Sequence, residues 1–258
     1  MLAGATIHPL LFILVFGLLL LLTQFEFYSL IEKTGRSPGK ITGLSAGIIF
    51  FLISFGIVNN ILPPESWLLL IPVFIIILPV EALSNDGAII KNSAVTCAGF
   101  IYVAIPISLL NFIVYPDYPE TAKFNPAILT GILFIIWMYD TVAYLSGSLF
   151  GKHKLSKRVS PNKSWEGVIG GTIAALMMGT LNSLIFKEYE IRNWLIISIL
   201  AVIFGTLGDL FESAIKRKIK VKDSGKILPG HGGLLDRVDS LLFVIPAIYI
   251  WLIFSGNI

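Results

Sequence analysis

With a single cysteine, three histidines and a charged fraction of only 14%, this 258-residue chain lacks several of the usual supports of a soluble fold. Cys97 alone excludes an intrachain disulfide, and its apolar surroundings read as core packing. His231 has no second histidine or cysteine at ligand spacing, which argues against zinc, and the isolated His8 and His153 are assigned no chemistry. There is no Walker loop, no Gly-x-Ser-x-Gly elbow and no Rossmann glycine pattern, so the common nucleotide-binding and acyl-ester readings fall away. Internal repeats, low-complexity tracts and linkers long enough to separate soluble domains are missing as well.

Apolar residues are abundant. They make up 55% of the chain, and the mean hydropathy is +0.85, more apolar surface than a soluble globule can hide. The expected fold class is all-α, a polytopic transmembrane helical protein with about eight spans of ~20 residues, the helix length that crosses ~30 Å of hydrocarbon. The spans read as 8–29, 41–62, 66–84, 94–114, 126–149, 166–186, 193–215 and 238–255, the third interrupted by Pro72 and Pro79. The first is too long, too poor in N-terminal basic residues and too directly followed by Gln24 and Glu26 to read as a cleaved signal. With the termini outside, all basic residues except Lys123, Lys187 and Arg192 fall on inward loops, which places both long polar loops in the cytoplasm.

The organisation is uneven. Residues 1–125 form an N-terminal transmembrane region whose intramembrane charges, Glu26 and Glu81, lie near span ends and read as solvated at the interface. Residues 126–258 carry the chemistry. Asp140 lies well inside an apolar span, where an ionised carboxylate costs about 2.5–3.5 kcal/mol, so it must face a partner or a wet cavity. Tyr144, Gly147 and Gly151 share its helical face, and the glycines suit either helix packing or close approach of a ligand.

The following loop holds Lys152, Lys154, Lys157 and Arg158, for which membrane topology is a sufficient account, and then Ser160, Pro161, Asn162, Lys163 and Ser164. Ser160 or Ser164 could cap the next helix. Ser160, Lys163 and Glu166 read better as ligand contacts, because a lysine at a helix start adds a cation to backbone N–H groups already suited to phosphate.

A third cluster begins in Leu207-Gly-Asp209-Leu-Phe-Glu212-Ser213 and reaches Lys216. Asp209, Glu212, Ser213 and Lys216 share one helical face, with Asp209 roughly 10 Å below Lys216 at 1.5 Å per residue. A metal at the deeper carboxylate could meet phosphates gripped by the basic residues above. Beyond the lysine-rich loop, Asp236, Arg237 and Asp239 open the last span; they suit helix capping, or, beside Asp209 and a Pro-Gly-His-Gly-Gly turn, a metal site at Asp236.

These residues carry a resemblance. Ser213-Ala-Ile-Lys216-Arg217, four residues, Lys222-Asp223, then Pro229-Gly-His231-Gly-Gly-Leu-Leu-Asp236-Arg237-Val-Asp239 resembles the signature of the phosphatidate cytidylyltransferases, or CDP-diglyceride synthetases. The stretch Asp140 to Gly151 and the run Ser160-Pro-Asn-Lys163-Ser-Trp-Glu166-Gly are similar too, so the likeness covers about residues 130–245. It implies a multi-pass, dimeric enzyme of the cytoplasmic membrane, with its active site facing the cytoplasm. Its substrates would be CTP and phosphatidic acid in the lipid bilayer, its products CDP-diacylglycerol and pyrophosphate, with no nucleic acid involved. It further implies a magnesium ion assisted by a potassium ion, on acidic residues whose spacing fits Asp209 and Asp236, with Asp140, Glu212 and Asp239 as further candidates. Lys216, Arg217 and Asp223 would join the catalytic set, and Lys222, His231 and Arg237 would join Ser160, Lys163 and Glu166 in binding CTP.

An ion-coupled transporter would also place Asp140 and Asp209 in the membrane, but would not need the long Lys/Asp/Gly loop. A lipid-binding scaffold would use the basic loops and leave Asp236 dispensable. A CTP-dependent lipid kinase would attack the γ-phosphorus and release CDP.

Overall fold

The computed structural model describes residues 8–72, 75, 79, 89–187, 189–225 and 232–256. Helix α1 (Pro9–Glu32) begins where Pro9 occupies a position whose N–H would have no helical partner, and the His8 ring accepts the Leu10 N–H at 3.2 Å. Helix α2 (Lys40–Val58) is followed by Asn60 at φ 56° and a 3₁₀ turn over Pro64–Leu69. Helix α3 (Ile89–Gly99) passes through a π turn, Phe100–Ala104, into α4 (Ile105–Ile113). Pro106 can donate no N–H and crowds the carbonyl four residues earlier; the wider turn just ahead of it accommodates both effects.

Helix α5 (Ala127–Phe150) leads into an antiparallel hairpin of β1 (Lys154–Ser156) and β2 (Ser160–Ser164), with Lys154 opposite Ser164 and Ser156 opposite Ser160. Helices α6 (Trp165–Ile185), α7 (Ile191–Ile219) and α8 (Leu235–Phe254) complete the chain.

Among the described residues, seven helical stretches are long and apolar enough to cross a membrane, including the continuous run Ile90–Ile113. The protein is thus a polytopic helical membrane protein. Most of the predicted third span, 66–84, lies outside the described residues, and its start is the 3₁₀ turn. A short two-stranded hairpin is set into this all-α fold. Its Ser-Pro-Asn-Lys-Ser run has the composition of a turn, yet it pairs as a strand because the Trp165 N–H bonds the His153 carbonyl at 2.9 Å and closes the hairpin base.

The chain packs as two compact units. The first holds residues up to Phe124 together with Val221–Val238; the second holds Asn125–Lys220 and Asp239–Asn257.

In the first unit, Phe12, Leu20, Phe51, Ile57, Leu110 and Ile113 are buried among α1, α2 and α4. Polar side chains tie α1 to α2 and α3, and α2 to α4, where no water can satisfy them. The Gln24 amide donates to Tyr28 Oη at 2.9 Å and to the Gly43 carbonyl at 3.0 Å, while Tyr28 Oη donates to the Thr96 carbonyl at 2.8 Å. Asn111 Nδ2 donates to Ser54 Oγ at 2.6 Å and to the Phe51 carbonyl at 3.1 Å.

In the second unit, small residues let helices meet backbone to backbone. A Cβ at Gly167 would stand 2.7 Å from the Ala143 carbonyl oxygen and 3.3 Å from Gly147 Cα; one at Gly171 would stand 2.7 Å from the Tyr139 ring and 2.9 Å from Ala143 Cβ. Gly147 and Gly151 face Ser164 along this seam, so they serve helix packing. Replacing Gly171 with valine is expected to overpack the seam and destabilise the protein by about 1–3 kcal/mol, read as a lowered thermal midpoint in detergent.

Candidate active site

Asp209 is the hub of the second unit's polar residues. It stands on α7 beside Gly208, whose missing side chain admits α8: a Cβ there would lie 3.2 Å from the Asp239 carbonyl carbon and 3.2 Å from the Phe243 ring. This close approach brings the backbones bearing Asp209 and Asp239 together. Tyr139 Oη shares a hydrogen bond with Thr206 Oγ1 one helical turn earlier, which fastens α5 to α7 next to Asp140.

One oxygen of Asp209 accepts from Ser213 Oγ at 3.2 Å, and the other forms an ion pair with Lys163 of β2. Asp140 and Asp239 each lie in the electrostatic field of both Asp209 and Lys163, and Lys216 acts on Asp239 as well. Asp140 is exposed on α5. Asp239 is 9% exposed, and its Oδ1 accepts the Ser240 N–H at 2.7 Å. Asp209 is thus in contact with Lys163, and Asp140 and Asp239 feel the charges of that pair.

Glu212, 1% exposed, is paired with Lys216 one turn later. The predicted shared face thus resolves into two neighbouring rows, Asp209 with Ser213 and Glu212 with Lys216. Burial makes the second row more than a surface pair. Arg217 reaches back to the hairpin, its Nε donating to the Val159 carbonyl at 3.3 Å. Helix α7 stops at Lys220, at φ 59°, whose N–H returns to the carbonyls of Arg217 and Lys216.

Ser164 caps α6, its Oγ accepting the Gly167 N–H at 3.1 Å. Ser160 pairs across the hairpin with Ser156. Glu166 accepts from the His153 ring at 2.7 Å and from its backbone N–H at 3.2 Å, so its carboxylate locks the hairpin onto α6. His153, for which the sequence offered no role, is the partner that the helix-start glutamate needs.

In the first unit, Asp236 lies in the first turn of α8. Its carboxylate accepts the N–H groups of Ser224 and Gly233, each at 3.0 Å, folding the signature segment back on itself. Lys222, Asp223 and Arg237 are exposed, while His231 lies outside the described residues. Glu26 departs from its interfacial reading: it is 3% exposed, and its Oε2 accepts the Leu235 N–H at 2.8 Å. Position near a span end carried no sign of a partner 209 residues away.

A cation has the right donors here but no finished cage. Among the described residues, no three His, Cys, Asp or Glu side chains converge as a metal site. Magnesium is compatible with that arrangement, because it holds its waters and usually takes one or two carboxylates plus substrate phosphates rather than an all-protein shell.

Replacing Lys216 with methionine is expected to strand the buried Glu212 carboxylate and cost about 3–5 kcal/mol. Adding Glu212→Gln should recover much of that loss, measured as thermal midpoints around the double-mutant cycle.

A family model described as the cytidylyltransferase family matches residues 1–255. The chain is 41% identical to a phosphatidate cytidylyltransferase of Staphylococcus saprophyticus over 218 residues, covering 84% of this chain and 79% of that relative. A phosphatidate cytidylyltransferase of Staphylococcus aureus is 36% identical over 220 residues, covering 84% and 80%. One of Staphylococcus haemolyticus is 51% identical over 121 residues, 46% of each chain.

Proposed function

The chain belongs to the cytidylyltransferase family, and from that membership we infer that it transfers CMP from CTP to phosphatidic acid, giving CDP-diacylglycerol and pyrophosphate in phospholipid synthesis. The match along nearly the whole chain carries this reading. The ion pair of Asp209 with Lys163, whose charges Asp140 and Asp239 feel, supports a centre for phosphate and cation chemistry.

A phosphate oxygen of phosphatidate attacks the α-phosphorus of CTP, and the bond from that phosphorus to the bridging oxygen of pyrophosphate breaks. The nucleophile is already an anion, so no strong general base is required, and catalysis rests on alignment and charge. Lys163 and Lys216 are suited to the polyphosphate, since each ammonium is a cation held in a partly buried setting by a carboxylate. Arg217, Lys222 and Arg237 add exposed cations for the CTP phosphates. Glu166 acts through His153 by fixing the hairpin that presents Ser160 and Lys163.

Asp209 is the first choice for a magnesium ligand, with Asp140 and Asp239 beside it. Asp236 is the second signature carboxylate, its oxygens accepting the Ser224 and Gly233 N–H groups. When bound, magnesium supplies Lewis-acid neutralisation of the phosphate charge, with potassium as the accompanying hard cation for these oxygen donors. The same reading includes a homodimer in the cytoplasmic membrane with its site open to the cytoplasm. That orientation suits a substrate pair of which one is confined to lipid and the other to water.

The defining experiment supplies purified protein in detergent with CTP, magnesium and phosphatidate; release of pyrophosphate is expected, and release of CDP would overturn the reading. Asp209→Asn and Asp236→Asn are each expected to lower turnover about a hundred-fold or more while leaving membrane insertion intact. Wild-type turnover in either variant at saturating magnesium would remove that residue from the site. Lys163→Ala should raise the KM for CTP about tenfold, the loss of one charged contact to phosphate, and an unchanged KM would confine Lys163 to its ion pair with Asp209.

A further inference from the structure

Glu26 is a buried carboxylate for which the reaction provides no role. It belongs to α1, yet it is 3% exposed and faces the signature segment within the first unit. Its Oε2 accepts the Leu235 N–H at 2.8 Å, where the first turn of α8 has N–H groups without helical partners. A negative charge at that place also complements the helix dipole. Its other oxygen, Oε1, has no hydrogen-bond partner among the described residues and is shut away from solvent.

The segment is cut to fit this carboxylate. A Cβ at Gly225 would stand 2.5 Å from Glu26 Cδ, and one at Gly233 would stand 2.8 Å from Glu26 Oε2 and 2.7 Å from the Gly225 nitrogen. Any side chain at either position would displace the glutamate. Asp236 holds the same two stretches of chain, accepting the Ser224 and Gly233 N–H groups. Two carboxylates, one from α1 and one from α8, therefore grip residues 224–225 and 233–235 between them.

We propose that Glu26 is a positioning residue: it caps α8 from a different helix and, through Gly225 and Gly233, fixes where the Asp236 carboxylate stands. The inference rests on the proposed part of Asp236 in turnover, although its structural half does not. Removing the Glu26 charge should loosen the signature segment locally and leave the rest of the first unit folded. Through Asp236 it should also weaken the response to magnesium.

The test uses the full-length protein in detergent with Glu26→Gln, which keeps shape and removes charge. Hydrogen–deuterium exchange of the peptide spanning 232–240 is expected to quicken tenfold or more, with peptides of α2 and α4 unchanged. The magnesium concentration for half-maximal rate should rise tenfold or more, with the KM for CTP moving less than twofold. Wild-type exchange at 232–240 in a folded variant would overturn the proposal, as would faster exchange with wild-type magnesium dependence. If Glu26→Gln does not fold, Gly225→Ala takes its place, since it keeps the charge and pushes the carboxylate aside; unfolding there too would make Glu26 a general structural residue and overturn the proposal. Asp236→Asn is measured alongside. Full activity in that variant would refute the role given to Asp236, while the exchange result would still decide whether Glu26 sets the segment.

Discussion

A carboxylate in an apolar span must find a cation, an N–H group or water, and much of this protein is arranged around that requirement. Glu26 finds the start of α8, Asp209 finds Lys163 and Ser213, and Glu212 finds Lys216. The Glu26–Leu235 and Asp209–Lys163 contacts join elements that hydrophobic contact alone would leave free to slide, since lipid tails are as apolar as the helix surfaces, whereas Glu212 is satisfied within α7. The acidic residues thus act on the fold itself. Their partners are two lysines, a serine hydroxyl and a backbone amide.

The same constraint explains the hairpin between α5 and α6. Lys163 can reach Asp209 because β2 carries it beside α7, and β2 keeps its place because Glu166 is bonded to His153 and Ser164 caps α6. A flexible loop with the same lysine would lose more conformational entropy each time the ion pair formed.

Much of this was legible in the sequence, and the gaps have physical causes. Span positions follow from runs of apolar residues, Asp140 declared itself as a charge where charge is costly, and Asp209 and Asp239 stood out by their place beside the signature and at its end. The signature around Asp236 was readable as a motif. The partners were not. Glu26 lies 209 residues from Leu235, and no local pattern encodes that contact. The glycines that admit it, Gly225 and Gly233, resemble ordinary turn glycines until the glutamate is seen against them. The hairpin was hidden because strand pairing in so short a segment depends on what closes its base, here Trp165 and Glu166, and hardly on propensity. Gly208 offered a usable sign: a glycine directly before an intramembrane aspartate marks a place where another backbone comes close.

Helix α7 has 29 residues, about 43 Å at 1.5 Å each, against a hydrocarbon layer of ~30 Å. Hiding it entirely would need a tilt of roughly 45°, more than the 0–40° that spanning helices adopt. The stretch from Ile191 to Gly208, which opens with Arg192 and Asn193, is about 27 Å long, which sets Asp209 toward the far side of a hydrocarbon layer of that thickness. The depth of Asp209 then becomes a function of membrane thickness. Longer or more ordered acyl chains would draw it toward hydrocarbon and thinner bilayers would lift it into the headgroups, which makes the thickness of the surrounding bilayer a physical variable of the site itself.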